Sequence, residues 1–282
     1  QEGSPIDRLL GELSQAFARL GSAVTLVEMA DRLLLREDDE VSEAAFRALE
    51  KSGVTVLTGH RAVRAEAKGS SKTLTVEGPD GAEIIAFDQL IVAVGRVARL
   101  SGYGLEELGI DAQATVSTNA FLETRFPNIL AAGDAAGPYQ FTHAAAHQAW
   151  HASVNALFGQ FWRFKADYRF LPHTTFLAPQ IARVGLNERE AADQGIACEV
   201  TRYDFADLDR AIADGETPGF IKILTQPGKD RILGVTIVGA HAGELLAEYV
   251  LAMKHGLGLK KIIGTIHAYP TFAEANKFAA GE

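Results

Sequence analysis

Thr124-Arg-Phe-Pro-Asn-Ile-Leu-Ala-Ala-Gly-Asp134 is the stretch on which the reading of this 282-residue chain turns. An apolar run, Asn128 to Ala132, reads as a strand that ends at Gly133 and is followed at once by an acid. Glycine lets a ligand approach the backbone, and Asp134 can accept hydrogen bonds from sugar-like hydroxyls at the carboxyl end of a strand, where α/β sheets bind ligands. An acid closing a strand is common turn chemistry when it stands alone; the eleven-residue pattern carries the ligand reading. Helix-compatible sequence follows from about Thr142 to Phe158.

Working outward toward the amino terminus, Leu9, Leu10, Leu13, Phe17 and Leu20 fall at helical spacing behind Asp7 as a possible N-cap, and Gly21 ends the run. Ala23 to Glu28 (AVTLVE) reads as a buried parallel strand ending in an acid. Asp38 to Ser52 reads as a second helix stopped by Gly53, and Val54 to Thr58 as the next strand, so two αβ units should pair in parallel. Residues 62–67, 73–77 and 83–87 alternate with period two around Gly69 and Pro79-Asp80-Gly81, as an antiparallel meander does. Leu90 to Gly95 (LIVAVG) reads as another buried strand, and residues 100–127 as connecting structure.

Toward the carboxyl terminus, strands are expected at Ile181 to Gly185, Glu199 to Asp204, Phe220 to Leu224 and Ile232 to Val238, with helices near 187–194 and 241–255. This is the pattern of a mixed α+β domain. The chain therefore divides into an α/β part, 1–98, a segment holding the strand, turn and helix around Asp134, 99–165, and an α+β part, 166–282.

A formal net charge of -9 and the lack of any Lys/Arg run argue against nucleic acid as a partner. No apolar run of about 18 residues could span a bilayer, and residues 1–20 have no signal-peptide block, so a cytoplasmic location away from membranes is expected. Cys198 is the only cysteine, which excludes an intrachain disulfide and a cysteine-based zinc cluster. His143, His147 and His151 share one helical face, but no carboxylate or cysteine stands at ligand spacing, and no metal site is expected.

Taken together, these motifs resemble the class I pyridine nucleotide-disulfide oxidoreductases, the family of dihydrolipoyl dehydrogenase, glutathione reductase and mercuric reductase. The resemblance runs from about Glu12 to Gly281. It implies that Gly133 and Asp134 meet the ribityl chain of FAD. It also implies that Thr142, His143 and Ala144 open a helix beneath the isoalloxazine. A helix amino terminus carries roughly +0.5 charge, which would favour negative charge on the flavin's carbonyl edge and ease reduction. His143 can take part or be a surface histidine, since the backbone suffices for that effect.

Gln15 to Glu28 (QAFARLGSAVTLVE) matches the family's NAD-binding unit, which implies that Glu28 binds the adenine-ribose hydroxyls and favours NAD(H) over NADP(H). Leu10 stands where the family's turn has a glycine, and no G-x-G-x-x-G occurs near the first helix. Gly95-Arg96 matches the end of the NAD-domain strand, with Ala98 and Arg99 in place of the usual Pro-Asn. The implied architecture is α/β: a partial Rossmann-like NAD-binding domain, a returning FAD-domain segment and an α+β dimerisation domain.

His267-Ala-Tyr-Pro-Thr-Phe-Ala-Glu274 resembles the family's H-x-H-P-T-x-x-E motif, whose second histidine exchanges protons with the active-site thiol while the glutamate orients it. Here that position is Tyr269. A histidine near pKa 6.5 exchanges protons at neutral pH; a tyrosine near 10 stays protonated and donates a hydrogen bond. Mercuric reductases also carry a tyrosine in this region. His267 reads either as a replacement base or as a structural histidine. Gly234 to Leu251 resembles the interface segment, which implies a homodimer.

The expectation is the carboxy-terminal portion of an FAD-dependent NAD(P)H oxidoreductase, dihydrolipoyl dehydrogenase- or mercuric reductase-like. Its parent passes a hydride from NADH through FAD to a small-molecule acceptor: a disulfide, a metal or another oxidant. The portion itself is expected to be inactive, since neither the redox cysteine pair nor a pyrophosphate turn lies within it. The alternatives are a non-catalytic dimerisation module from the same family and, less favoured, a protein that binds NAD alone.

Overall fold

The computed structural model describes residues 6–110 and 113–282, the side chains of residues 6–8 excepted, so the capping role expected of Asp7 lies outside the described residues. The chain forms two compact units, one of residues 1–94 with 170–282 and the other of residues 95–169.

In the first unit, helix α1 (Ile6–Arg19) leads to strand β1 (Val24–Val27), and α2 (Asp39–Lys51) to β2 (Val54–Leu57). The turn after each helix is made at a glycine with positive φ, Gly21 at 95° and Gly53 at 87°, a conformation that side chains with a Cβ resist. β1 and β2 pair in parallel, Val24 opposite Val54, as the αβ repeat requires. Leu26, Val41, Ala45, Leu49 and Val54 fill the space beneath them, joined by Leu177, Ile181, Phe220 and Val238 from the carboxy-terminal segment. The meander follows as β3 (Arg61–Lys68), β4 (Ser71–Gly78) and β5 (Gly81–Ala86), antiparallel in that order.

Two expected strands do not form. Leu90 to Gly95 has no strand partner among the described residues, and its larger side chains lie open, with Val92 68% and Val94 89% exposed, while Ala93 is buried. Asn128 to Ala132 makes one isolated bridge, Glu123 to Leu130. An apolar β-branched run becomes a buried parallel strand only where neighbours take up its backbone hydrogen bonds. The described parallel sheet is β1 and β2 alone.

The second unit is built on helix α3 (Thr142–Phe158), preceded by a 3₁₀ turn at Gly133–Ala135. The buried face of α3 is largely polar, with Ala144, Gln148, His151 and Asn155 inward. A small core of Leu105, Ile110 and Val116, with Phe126, Ile129 and Ala131 against it, lies outside the helix.

The remainder of the first unit is a five-stranded antiparallel sheet of β6 (His173–Thr175), β7 (Gln180–Gly185), β8 (Glu199–Asp204), β9 (Phe220–Thr225) and β10 (Ile232–Gly239), in the order β6-β7-β10-β9-β8. Its helices are α4 (Glu188–Asp193), α5 (Asp209–Asp214), α6 (Ala242–Lys254), α7 (Leu259–Ile263) and α8 (Glu274–Ala279). β6, α5, α7 and α8, of three to six residues, are not among the elements expected from the sequence. α6 buries Leu245, Leu246, Tyr249 and Met253 against Val235 and Ile237 of β10, so part of the expected interface helix serves its own domain.

The acidic run Glu37-Asp38-Asp39-Glu40 ties the αβ layer to this sheet. Glu37 pairs with Arg183 at 2.9 Å, Asp38 with Lys222 at 2.6 Å, Asp39 with Arg189 at 2.6 Å, and Glu40 with Lys222 and Arg202, each at 2.5 Å. Lys222 is buried in β9 and also meets Glu188 at 2.7 Å. Burial alone would lower its proton affinity, but the three carboxylates outweigh burial and hold the ammonium far above its ordinary range.

Candidate functional site

Gly133 is buried with φ 75°, and a Cβ added there would sit 3.4 Å from Cβ of Ala145 on α3, so turn and helix pack closely. Gln148, fully buried one turn further along α3, fixes this approach. Its Oε1 accepts the Gly133 N–H at 2.5 Å, while its Nε2 donates to the Gly137 carbonyl at 2.8 Å and to the Tyr168 hydroxyl at 2.7 Å. The sequence reading missed Gln148. The signal was there: a glutamine four residues after Ala144 and seven before Asn155 lies on the inward face.

Asp134 follows with its carboxylate part-exposed, and Arg96 donates to its Oδ2 at 3.1 Å and to the Gln140 carbonyl at 3.4 Å. Gly95, beside Arg96, opens this unit. The structure thus brings together Arg96, Gly133, Asp134 and the start of α3. The N-cap residue Phe141 gives no side-chain hydrogen bond to the helix end. Thr142 and His143 are exposed, Ala144 is buried, and the His143 ring stacks on Phe141 at 5.2 Å and 15°. His147 and His151 lie with ring centroids 4.1 Å apart, and His151 Nδ1 contacts the His147 carbonyl. No group of three or more metal-ligating side chains occurs among the described residues.

These residues fit the ribityl side of a flavin. Glycine at 133 lets the turn lie against α3 in the left-handed region, and the acid beside it is an acceptor for hydroxyl groups.

Glu28 ends β1. Its N–H donates to the Leu57 carbonyl at 2.9 Å, and its Oε1 accepts the Ala30 N–H at 2.9 Å. That Asx-like bond orients the carboxylate at the strand's end. The dinucleotide's pyrophosphate is not matched: Leu10 lies inside α1, part-buried against the core, where a glycine turn would be needed. The described residues fit the ribose end of NAD(H) and not its phosphates.

His267 and Tyr269 lie between α7 and α8, and Glu274 opens α8. The His267 side chain is 6% exposed, with Nδ1 on the Thr265 carbonyl at 3.0 Å and Nε2 on both oxygens of Glu248, at 3.0 and 3.2 Å. Glu248 is held in turn by Nδ2 of buried Asn276 at 2.8 Å. Tyr269 is 71% exposed and donates its hydroxyl proton to Asp209 Oδ2 at 3.0 Å. The hydrogen bond to Asp209, then that carboxylate's charge, raises Tyr269 above its ordinary value. Glu274 Oε2 accepts the Thr271 N–H at 3.3 Å. Glu248 and Asp209 were not singled out in the sequence, because their partners lie 19 and 60 residues away.

Comparison with known proteins bears on both halves. The family model for pyridine nucleotide-disulphide oxidoreductases matches residues 11–149, and the model for the dimerisation domain of the same enzymes matches residues 171–280. Dihydrolipoyl dehydrogenase of Thermus scotoductus is 37% identical over 273 residues, covering 95% of this chain and 58% of that protein. Mercuric reductase of Streptomyces lividans is 35% identical over 273 residues, covering 95% and 56%. The HOCl-induced flavoprotein disulfide reductase RclA from Escherichia coli superposes with a TM-score of 0.87 at 25% identity, over 96% of this chain and 62% of that one. The chain spans little more than half the length of the curated relatives it matches.

Proposed function

Because the chain belongs to the class I pyridine nucleotide-disulfide oxidoreductase family of FAD-dependent enzymes, we propose that it forms the ribityl-binding and dimerisation portion of an NAD(P)H:acceptor flavin oxidoreductase. The observation that carries this reading is the Gly133–Asp134 turn, fixed to α3 by Gln148. In this proposal Asp134 accepts hydrogen bonds from the ribityl hydroxyls, and Gly133 keeps the backbone open for the cofactor. The backbone at Thr142, His143 and Ala144 aims the positive end of α3 at the ring system. When bound, FAD supplies two-electron transfer between the nicotinamide and the acceptor.

Glu28 would bind ribose hydroxyls, with residues 1–98 as the partial NAD domain, 99–165 as the returning FAD-domain segment and 166–282 as the dimerisation domain. Through the homodimer that domain presents the segment from His267 to Glu274 to the partner subunit's flavin. His267, with both ring nitrogens engaged, anchors the segment, and Tyr269 meets the acceptor. A phenol held neutral does not take a proton from a thiol, so an acceptor other than a dithiol pair is favoured.

Assaying NADH oxidation by the 282-residue chain with added FAD and an artificial acceptor tests the catalytic side. No rate above that of FAD alone is expected, since the pyrophosphate turn is not matched; sustained turnover would overturn that part. The same mismatch at Leu10 favours a second reading, a non-catalytic dimerisation module. Stoichiometric flavin absorbance in the purified protein would remove it.

A further inference from the structure

We propose that Asp209 is the positioning residue for Tyr269, taking the part that the family resemblance gives to Glu274. This rests on the reading that Tyr269 meets the acceptor.

The geometry separates the two carboxylates. Asp209, on α5, receives the Tyr269 hydroxyl at 3.0 Å. Glu274, on α8, turns its Oε2 back to the Thr271 N–H, three residues earlier. The backbone on either side of Tyr269 is already pinned. His267 is wedged between Thr265 and Glu248, and Thr271 Oγ1 donates to the Ala268 carbonyl at 2.6 Å. Between those anchors an exposed ring could turn freely, and the Asp209 hydrogen bond selects its direction.

The choice has a chemical consequence. With its proton committed to Asp209, Tyr269 offers outward the lone pairs of a neutral phenol oxygen, which accept a hydrogen bond or approach a cation. A phenolate beside Asp209, with Glu274 also near, would be repelled, so the proton stays through the neutral range. Arg210, the next residue, is occupied by Asp214 and does not offset this. Asp207, Asp209, Glu274 and Glu282 act in the same direction on the neighbouring Tyr203, where burial is the first cause.

The test is an NMR titration of the full chain carrying ring-labelled tyrosine, with Tyr269→Phe identifying one resonance among the six tyrosines. In the wild type the Tyr269 midpoint should lie above the ordinary value of about 10. Asp209→Asn should bring it back toward that value, Asp209→Glu should restore most of the rise, and Glu274→Gln should move it less than Asp209→Asn does. An unchanged midpoint in Asp209→Asn, in a variant that melts like the wild type, overturns the proposal. So does a larger shift in Glu274→Gln. If Asp209→Asn melts early, the comparison of Asp209→Glu with Glu274→Gln decides in the same terms.

A second arm uses the flavin-loaded enzyme that contains this chain. Turnover with the acceptor should be flat between about pH 6 and 9, and Tyr269→His should introduce a limb near the histidine range. If the titration behaves as expected while turnover ignores residue 269, the Tyr269–Asp209 contact stands, and the acceptor-facing reading and the positioning role fall together.

Discussion

Ile232–Gly239 and Leu90–Gly95 are both short apolar runs rich in valine and isoleucine, and they meet opposite fates. β10 lies between β7 and β9, and its Val235 and Ile237 are fully buried. Leu90–Gly95 finds no strand partner among the described residues, and Ile91, Val92 and Val94 are 48, 68 and 89% exposed. The difference lies in what flanks each run. A strand buried on both faces is a property of its sheet, and composition alone does not confer it.

Substitutions can break this comparison or sharpen it. The largest effect is expected at Lys222, where β9 meets the acidic run. Lys222→Met would leave Asp38 buried without its partner, and the loss of stability should be about 3–5 kcal/mol by urea unfolding. A loss under about 1 kcal/mol would mean that the carboxylates are solvated in solution. The same contact has a pH sign. Burial pushes Asp38 upward, but Lys222 and the N–H groups of Glu188 and Arg189 outweigh it and hold the carboxyl below its ordinary 3.8. Its contribution is therefore fully present at neutral pH and is lost as pH falls below about 4 through the folded-state value. Lys222→Met should flatten that part of the acid limb.

Ile237→Ala removes a fully buried side chain from β10 and should cost about 2–5 kcal/mol. Gln148→Ala strips three hydrogen bonds from the second unit and should cost about 1–3 kcal/mol. Hydrogen exchange should then quicken at the Gly133 and Ala136 amides before it does in β10. Val92→Ala should be the smallest, within about 0.5 kcal/mol. If Val92→Ala matched Ile237→Ala, Leu90–Gly95 would have a partner in solution and the contrast between the two runs would disappear.

Much of the fold was legible because local signals agreed with tertiary ones. α3 spans Thr142–Phe158 and β8 spans Glu199–Asp204, as expected from the sequence, and the meander follows its turn glycines. The three-residue β6 and the helices α5, α7 and α8, each under two turns, do not stand out in the sequence. The turn at Gly133 and Asp134 was visible as a motif, since glycine followed by an acid after an apolar run has a local meaning. Its support by Gln148 and Arg96, and the pairs His267–Glu248 and Tyr269–Asp209, depend on contacts between distant segments. A single sequence does not encode those contacts locally. The four carboxylates of residues 37–40 went unremarked in the sequence, yet each faces a cation from the carboxy-terminal segment.

The central claim, that the Gly133–Asp134 turn receives a flavin's ribityl chain, is tested most directly by titrating FAD fluorescence with the wild-type chain and with Asp134→Ala. Removing one acceptor of the ribityl hydroxyls should weaken binding about tenfold or more while the thermal transition stays in place. Equal affinity for the two proteins, or no binding by the wild type at any accessible concentration, would contradict it.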